Sequence, residues 1–321
     1  MFYNTFKEFE AAVSVFIDQE NHDEALYILK SAQELLPKNE YEGNCFYIMF
    51  IVSVIYSRQN KADECISMIK SAISQGFCFP LNFRTYNFIR QHKDYETTRH
   101  ANEAVLEEAR KNSSFKYKVF LPKNYDADRK YPLFICLHGD AADGYISYHS
   151  SYWRSDVFLQ RGYIAVYPQS SQMYCYNGFG WLPDPELSRQ EIKGCYMQLL
   201  KDYSIDESNV IIGGFSGGAT TSLDIALSST IPARGFIALC PGDNISTNIE
   251  EAKDAAAKGM KGVILEGEQE RDEGVQHLLK VFSEAKLPCK YVINENTPHW
   301  YPDDLDEKLI ECIDFINGQS S

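Results

Sequence analysis

The chain of 321 residues lacks the marks of several large function classes. Its nine cysteines contain no C-x-x-C pair, so neither a disulfide framework nor a zinc site is indicated and no metal is expected. They read instead as small buried residues of a reducing compartment. The longest apolar run, Cys45 to Tyr56, is too short to span a bilayer and predicts a buried helix. The first ten residues hold no basic segment leading into an apolar core, so no secretory signal is read there and the cytoplasm is the expected location. On that expectation the triplets at Asn112 and Asn244 are chance matches to the glycosylation pattern. Positive charge is scarce: 31 Lys and Arg face 45 Asp and Glu, a formal net charge of -14. That balance argues against nucleic acid and anionic membranes as partners, because phosphates would be repelled. P-loop, dinucleotide fingerprint and H-E-x-x-H are all missing, so no cofactor is implied.

What is present is an ordinary globular composition, 44% hydrophobic and 24% charged, written in two grammars. Residues 1–112 show helical periodicity without strand-like segments. Within them Ala25-Leu26-Tyr27-Ile28-Leu29-Lys30-Ser31-Ala32 aligns with Cys65-Ile66-Ser67-Met68-Ile69-Lys70-Ser71-Ala72, forty positions on. Each copy carries two small residues seven apart and follows a polar, acidic turn. This resembles the tetratricopeptide repeat, in which small residues let two antiparallel helices approach closely. Two copies are fewer than a free-standing array needs. The alternative is a generic helical bundle.

Residues 113–321 alternate strands with helices. Strands are expected at Tyr117–Leu121, Tyr131–Leu137, Tyr163–Tyr167, Asn209–Ile212, Gly235–Leu239, Gly262–Leu265 and Lys290–Ile293, with a helix over Glu186–Tyr203. The expectation is an α/β domain with a mainly parallel sheet covered on both faces, preceded by an all-α domain.

Gly214-Phe215-Ser216-Gly217-Gly218 is a G-x-S-x-G sequence between an apolar strand and a helical segment. Strand, glycine elbow and helix together present a serine hydroxyl on a sharp corner, which marks Ser216 as a nucleophile rather than a turn residue.

Three further stretches carry a resemblance: Tyr131-Pro132-Leu133 running to Leu137-His138-Gly139, Tyr203-Ser204-Ile205-Asp206 leading to the elbow, and Pro298-His299-Trp300-Tyr301-Pro302. Together they resemble the α/β-hydrolase superfamily, in its esterase branch near feruloyl esterases, acetyl xylan esterases and polyhydroxyalkanoate depolymerases. The likeness covers roughly residues 115 to 317. It implies an α/β-hydrolase fold, a serine carboxylic ester hydrolase and a triad in the order serine, acid, histidine. Of the seven histidines only His277 and His299 follow Ser216. His277 lies in a helical segment, whereas His299 lies in a loop and is the expected base. The acid belongs to Glu266-Gly267-Glu268-Gln269-Glu270-Arg271-Asp272-Glu273, where most carboxylates are expected to be solvated. The family position three residues after a glycine indicates Glu270, with Asp272 as the alternative. Glutamate departs from the family's usual aspartate, as does the missing secretion signal.

The resemblance also implies an oxyanion hole from the backbone N–H groups of Gly217 and Asp140, with His138 a structural partner of its loop. Too few residues separate Leu239 from the next strand for a large lid. The aromatic loop from Ser170 to Trp181 is expected on the catalytic edge, making Trp181, with Trp300, a substrate-binding residue; packing of those aromatics against the helical half is the alternative. The partner expected is a small-molecule ester, with a peptide or a second copy as a candidate for the helical half. A peptidase with the same triad and a non-catalytic scaffold are the other readings.

Overall fold

The computed structural model describes residues 2–140, 152–242, 248–269 and 271–319. Among them no helix is long and apolar enough to cross a membrane. The chain divides into two compact units, one of residues 1–112 with 173–177 and one of 113–172 with 178–321.

The first unit is built from α1 (Phe6–Asp18), α2 (His22–Lys30), α3 (Ala32–Leu35), α4 (Lys38–Arg58), α5 (Ala62–Ser74), a 3₁₀ turn at Arg84–Ile89, and α6 (Tyr95–Arg110). The forty-residue repeat is visible in backbone detail. Glu20 and Asn60 both adopt left-handed φ, 56° and 54°, just past α1 and α4. The next N–H turns back in each copy, from Asn21 to the Phe16 carbonyl and from Lys61 to that of Tyr56. This satisfies carbonyls that a helix end would leave open. Ala25, Ala32, Cys65 and Ala72 are all buried, as close helix packing requires. The repeat is thus a pair of helical hairpins. The apolar run expected to be a buried helix lies within α4.

The second unit contains a seven-stranded sheet in the order β1-β3-β2-β6-β7-β8-β9. Its strands are β1 (Lys116–Phe120), β2 (Tyr131–Leu137), β3 (Ile164–Gln169), β6 (Ile205–Phe215), β7 (Gly235–Leu239), β8 (Lys261–Gly267) and β9 (Cys289–Asn294). Only β1 runs antiparallel to its neighbour. Successive side chains point to opposite faces, so each apolar strand feeds two cores. Leu133, Ile135 and Leu137 of β2 enter one with Val210, Ile212 and Phe236. Phe134 and Cys136 enter the other with Ile211, Ile237 and Leu239.

Helices α8 (Pro185–Asp202), α9 (Gly217–Leu227), α10 (Ile249–Ala257) and α11 (Glu273–Ala285) cover the first core. The second is covered by α7 (Ser155–Gln160) and α12 (Leu305–Asn317). Since β2 connects to β3 on one side while β6 connects to β7 on the other, the order in which strands are added reverses between β2 and β6. A crevice opens at such a reversal, outside the carboxyl ends of the strands.

A small hairpin, β4 (Met173–Cys175) with β5 (Gly178–Phe179), interrupts the aromatic loop. Its tip groups with the helical unit: Tyr174 stacks on Phe83, and Tyr176 packs against Phe46 and Phe77. These aromatics belong to the helical core, which is the alternative left open for the loop.

Phe236 is fully buried, faces Phe282 at 5.8 Å between ring centres and fills the space left by Gly262. Phe236→Ala leaves a cavity that this packed layer cannot close, and should cost about 3–5 kcal/mol of stability. Denaturant unfolding followed by tryptophan fluorescence measures this, because Trp153 and Trp181 are both buried in the same unit.

Candidate active site

β6 ends at Phe215 and α9 begins at Gly217, leaving Ser216 on the corner with φ 53° and ψ −121°. A non-glycine residue held there stores about 1–3 kcal/mol of strain. Both sides of the turn hold it: the Ser216 N–H donates to the Leu239 carbonyl of β7, and its own carbonyl accepts from Thr220 N–H. The flanking glycines have a steric cause. A Cβ on Gly214 would lie 2.5 Å from the Leu137 carbonyl oxygen, and one on Gly218 would lie 2.2 Å from that of His138. The end of β2 passes directly against the elbow, and only glycine leaves room.

That strand end continues into His138, which is buried. Its Nδ1 donates to the Gly139 carbonyl, and its Nε2 accepts the Ser170 N–H. Burial holds its pKa down to about 4, so the ring is neutral and its tautomer is set by its two partners. It is a structural partner of its loop, as expected. The His138 carbonyl accepts the indole N–H of Trp181 at 3.0 Å. Trp181 is 0% exposed, which corrects the substrate-binding role expected for it: both its ring and its one donor are spent on holding the loop. Asp140 follows, with its carboxylate lying over Gly217. Burial pushes its pKa up to about 6, partly offset by a hydrogen bond from the Trp181 backbone. The N–H of Gly217 is in the first turn of α9, where no intrahelical carbonyl is available to it and the helix dipole favours negative charge.

His299 lies on the loop after β9, with Nε2 3.0 Å from Ser216 Oγ. Two loops are laced together to bring it there. Glu268 N–H donates to the Asn294 carbonyl, Gln269 N–H to that of Thr297, and Asn296 N–H to the Glu268 carboxylate. Gly267 makes the lacing possible, since a Cβ there would be 2.0 Å from the Pro298 carbonyl oxygen. His277, in contrast, is exposed on α11.

The acidic loop is more differentiated than its composition suggested. Glu266 is not solvated: it is 1% exposed and accepts the Tyr291 hydroxyl at 2.7 Å and the Asp272 N–H at 3.1 Å. Burial, reinforced by that carboxylate, pushes the Tyr291 phenol up to about 12. Asp272 caps α11, its Oδ1 accepting the Gly274 N–H at 2.6 Å. Glu270 lies outside the described residues. The partnership of Glu266 with Tyr291 had no signal in the sequence beyond an acid and a phenol on neighbouring strands.

His299 also borders a cavity of about 730 Å³, together with Cys240, Gly242, Arg271 and Asp272. Gly242 N–H is anchored on Thr220 Oγ1 of α9. His299 packs against Phe215, one of an aromatic group with Tyr152, Trp300 and Tyr301 in which Tyr152 is stacked on Tyr301 at 4.0 Å. Trp300 is 49% exposed, so part of its ring is open to a ligand.

Residues 187–304 match the family described as Phospholipase/Carboxylesterase, a span running from α8 through His299. A segment of 62 residues is 34% identical to a probable dipeptidyl-peptidase 5 from Aspergillus terreus; it is 19% of this chain and 8% of that protein. The chain thus spans only a small part of the curated relatives it matches. The crystal structure of an uncharacterized Bacillus cereus ATCC 10987 protein is similar over 98% of this chain and 100% of its own, with TM-score 0.53 and 24% identity. A thermostable esterase is similar over 64% of this chain and 60% of its own, with TM-score 0.50 and 22% identity. At such identities the likeness speaks for fold, and it agrees with the strand order and the strand–elbow–helix corner: the second unit of this chain has the α/β-hydrolase fold.

Proposed function

We propose that this protein is a serine hydrolase that cleaves carboxylic esters of small or medium size. The observation that carries the reading is the hydrogen bond of His299 Nε2 to Ser216 Oγ on a strained elbow. A serine hydroxyl becomes a competent nucleophile when a positioned base accepts its proton. Ser216 Oγ attacks the ester carbonyl carbon while His299 takes the hydroxyl proton. The carbonyl oxygen becomes an oxyanion that receives the N–H groups of Gly217 and Asp140. Collapse breaks the bond to the alkoxy oxygen, which leaves as the alcohol with the proton from His299. Water, deprotonated by His299, then attacks the acyl-enzyme, and collapse releases the acid and restores Ser216.

Glu270 is our triad acid. Asp272, already engaged as a helix cap, is given the structural role. The cavity holds one part of the ester, and Trp300 offers an aromatic surface to the other. We place the protein in the cytoplasm, in keeping with nine free cysteines, and give the helical unit a peptide or a second copy to bind. The similarity to a dipeptidyl-peptidase supports one second reading, cleavage of an amide by the same residues.

A fluorophosphonate probe should label wild-type protein once and Ser216→Ala not at all, as read by intact mass. Labelling that persists in the variant would move the nucleophile elsewhere. Parallel assays with p-nitrophenyl esters and dipeptidyl p-nitroanilides separate the two readings, and ester turnover should dominate.

Glu270→Gln should depress ester turnover about a hundredfold or more, because the base loses its orientation. Asp272→Asn should leave turnover nearly unchanged, since asparagine caps a helix as well as aspartate. The opposite pattern would assign the acid to Asp272.

A further inference from the structure

One buried polar group at this site has no use in the mechanism above. The Asp140 carboxylate is packed onto the first residue of α9: a Cβ on Gly217 would lie 2.6 Å from its Oδ1 and 2.9 Å from its Oδ2. Oδ1 is closed off from solvent and, among the described residues, has no hydrogen-bond partner. A buried carboxyl oxygen left unpaired costs stability unless it serves a purpose. Its position is informative, because Gly217 contributes an N–H to the place where negative charge would collect next to Ser216.

We propose that the Asp140 carboxyl group is a working part of the oxyanion pocket: protonated, it donates a hydrogen bond to the oxyanion, and ionised, it opposes that charge. This rests on the reading of Ser216 as the nucleophile.

Electrostatic reasoning supports the protonated form. An ionised Asp140 would place like charge beside the developing oxyanion in a site with little solvent, where such repulsion is poorly screened. A protonated carboxyl there supplies a donor without any movement of the backbone, and the carboxyl keeps its proton through the step. Among the described residues, the titratable groups on the surrounding elements do not compensate an Asp140 charge. His138 is neutral, with its pKa held at about 4. His299 carries its Nε2 on Ser216 Oγ. No acidic or basic residue occupies the first turn of α9, and Asp224 farther along it is paired with Arg189. Glu191 of α8 is engaged by Ser171 on the loop after β3.

The sign of the pH dependence follows. Burial raises the Asp140 pKa from 3.8 to about 6, so the donor form is populated below that pH and lost above it. Turnover therefore carries an alkaline limb that belongs to Asp140.

The test is the pH profile of kcat for p-nitrophenyl acetate hydrolysis by the full chain, in wild type, Asp140→Asn and Asp140→Ala. All three keep the backbone N–H. Asparagine retains a side-chain donor that cannot ionise, so the alkaline limb should vanish and the rate above the wild-type optimum should rise roughly tenfold. Alanine has no donor, so its maximal rate should fall about a hundredfold below wild type. An alkaline limb that survives in Asp140→Asn, or equal rates for asparagine and alanine, would overturn the proposal. Should Asp140→Ala fail to fold, the limb in Asp140→Asn decides alone. Fluorophosphonate labelling separates the two failures: no labelling of wild-type Ser216 removes the esterase reading, whereas labelling with an unchanged profile removes only the role of Asp140.

Discussion

The site depends on backbone meeting backbone where β2 ends. The carbonyl oxygens of Leu137 and His138 occupy the space that side chains at positions 214 and 218 would need. Both partners in that contact are fixed, one by the parallel sheet and the other by the elbow helix. A methyl group could be admitted only by moving a central strand. The same closeness brings the loop after β2, with Asp140, onto the first residue of α9. Ser216 is thereby held at positive φ with a ladder hydrogen bond on one side and a helix on the other.

A second close approach sets the distance to the base. Gly267 admits the Thr297 and Pro298 carbonyls against the end of β8, and the backbone hydrogen bonds around it join the acidic loop to the histidine loop. The two loops therefore behave as one piece, and buried Glu266 extends that piece by holding Asp272 N–H and the Tyr291 hydroxyl. A buried carboxylate with two donors is a stable arrangement, in contrast to Asp140 Oδ1. This contrast separates a group that organises the site from one that is available to act in it.

The sequence reading and the structure part company where a residue's type says nothing about its surroundings. Trp181 and Trp300 are the same amino acid near the same site, yet one is sealed in the core with its indole N–H on a carbonyl and the other is half exposed. The aromatic loop left two readings open, a place on the catalytic edge or packing in the helical half, and Tyr174 and Tyr176 take the second: a short hairpin carries them into the helical core. Nothing in the sequence of the crowded acidic loop distinguished Glu266 from its solvated neighbours. In each case the deciding contact comes from residues far away in the chain, and no local pattern encodes it.

By itself the sequence determined what near neighbours govern. The strands follow from short apolar β-branched runs and the helical hairpins from a forty-residue repeat of small residues. The elbow follows from glycines that only close packing explains. These are matters of periodicity and of sterics within a few residues. Tertiary structure decided which atoms face each other across long separations: His299 Nε2 at 3.0 Å from Ser216 Oγ, 83 positions apart, and the Asp140 carboxylate over Gly217. It also decided which polar groups lost their water. Burial and charge are properties of the assembled neighbourhood, so they came into being only when the sheet brought these loop ends together.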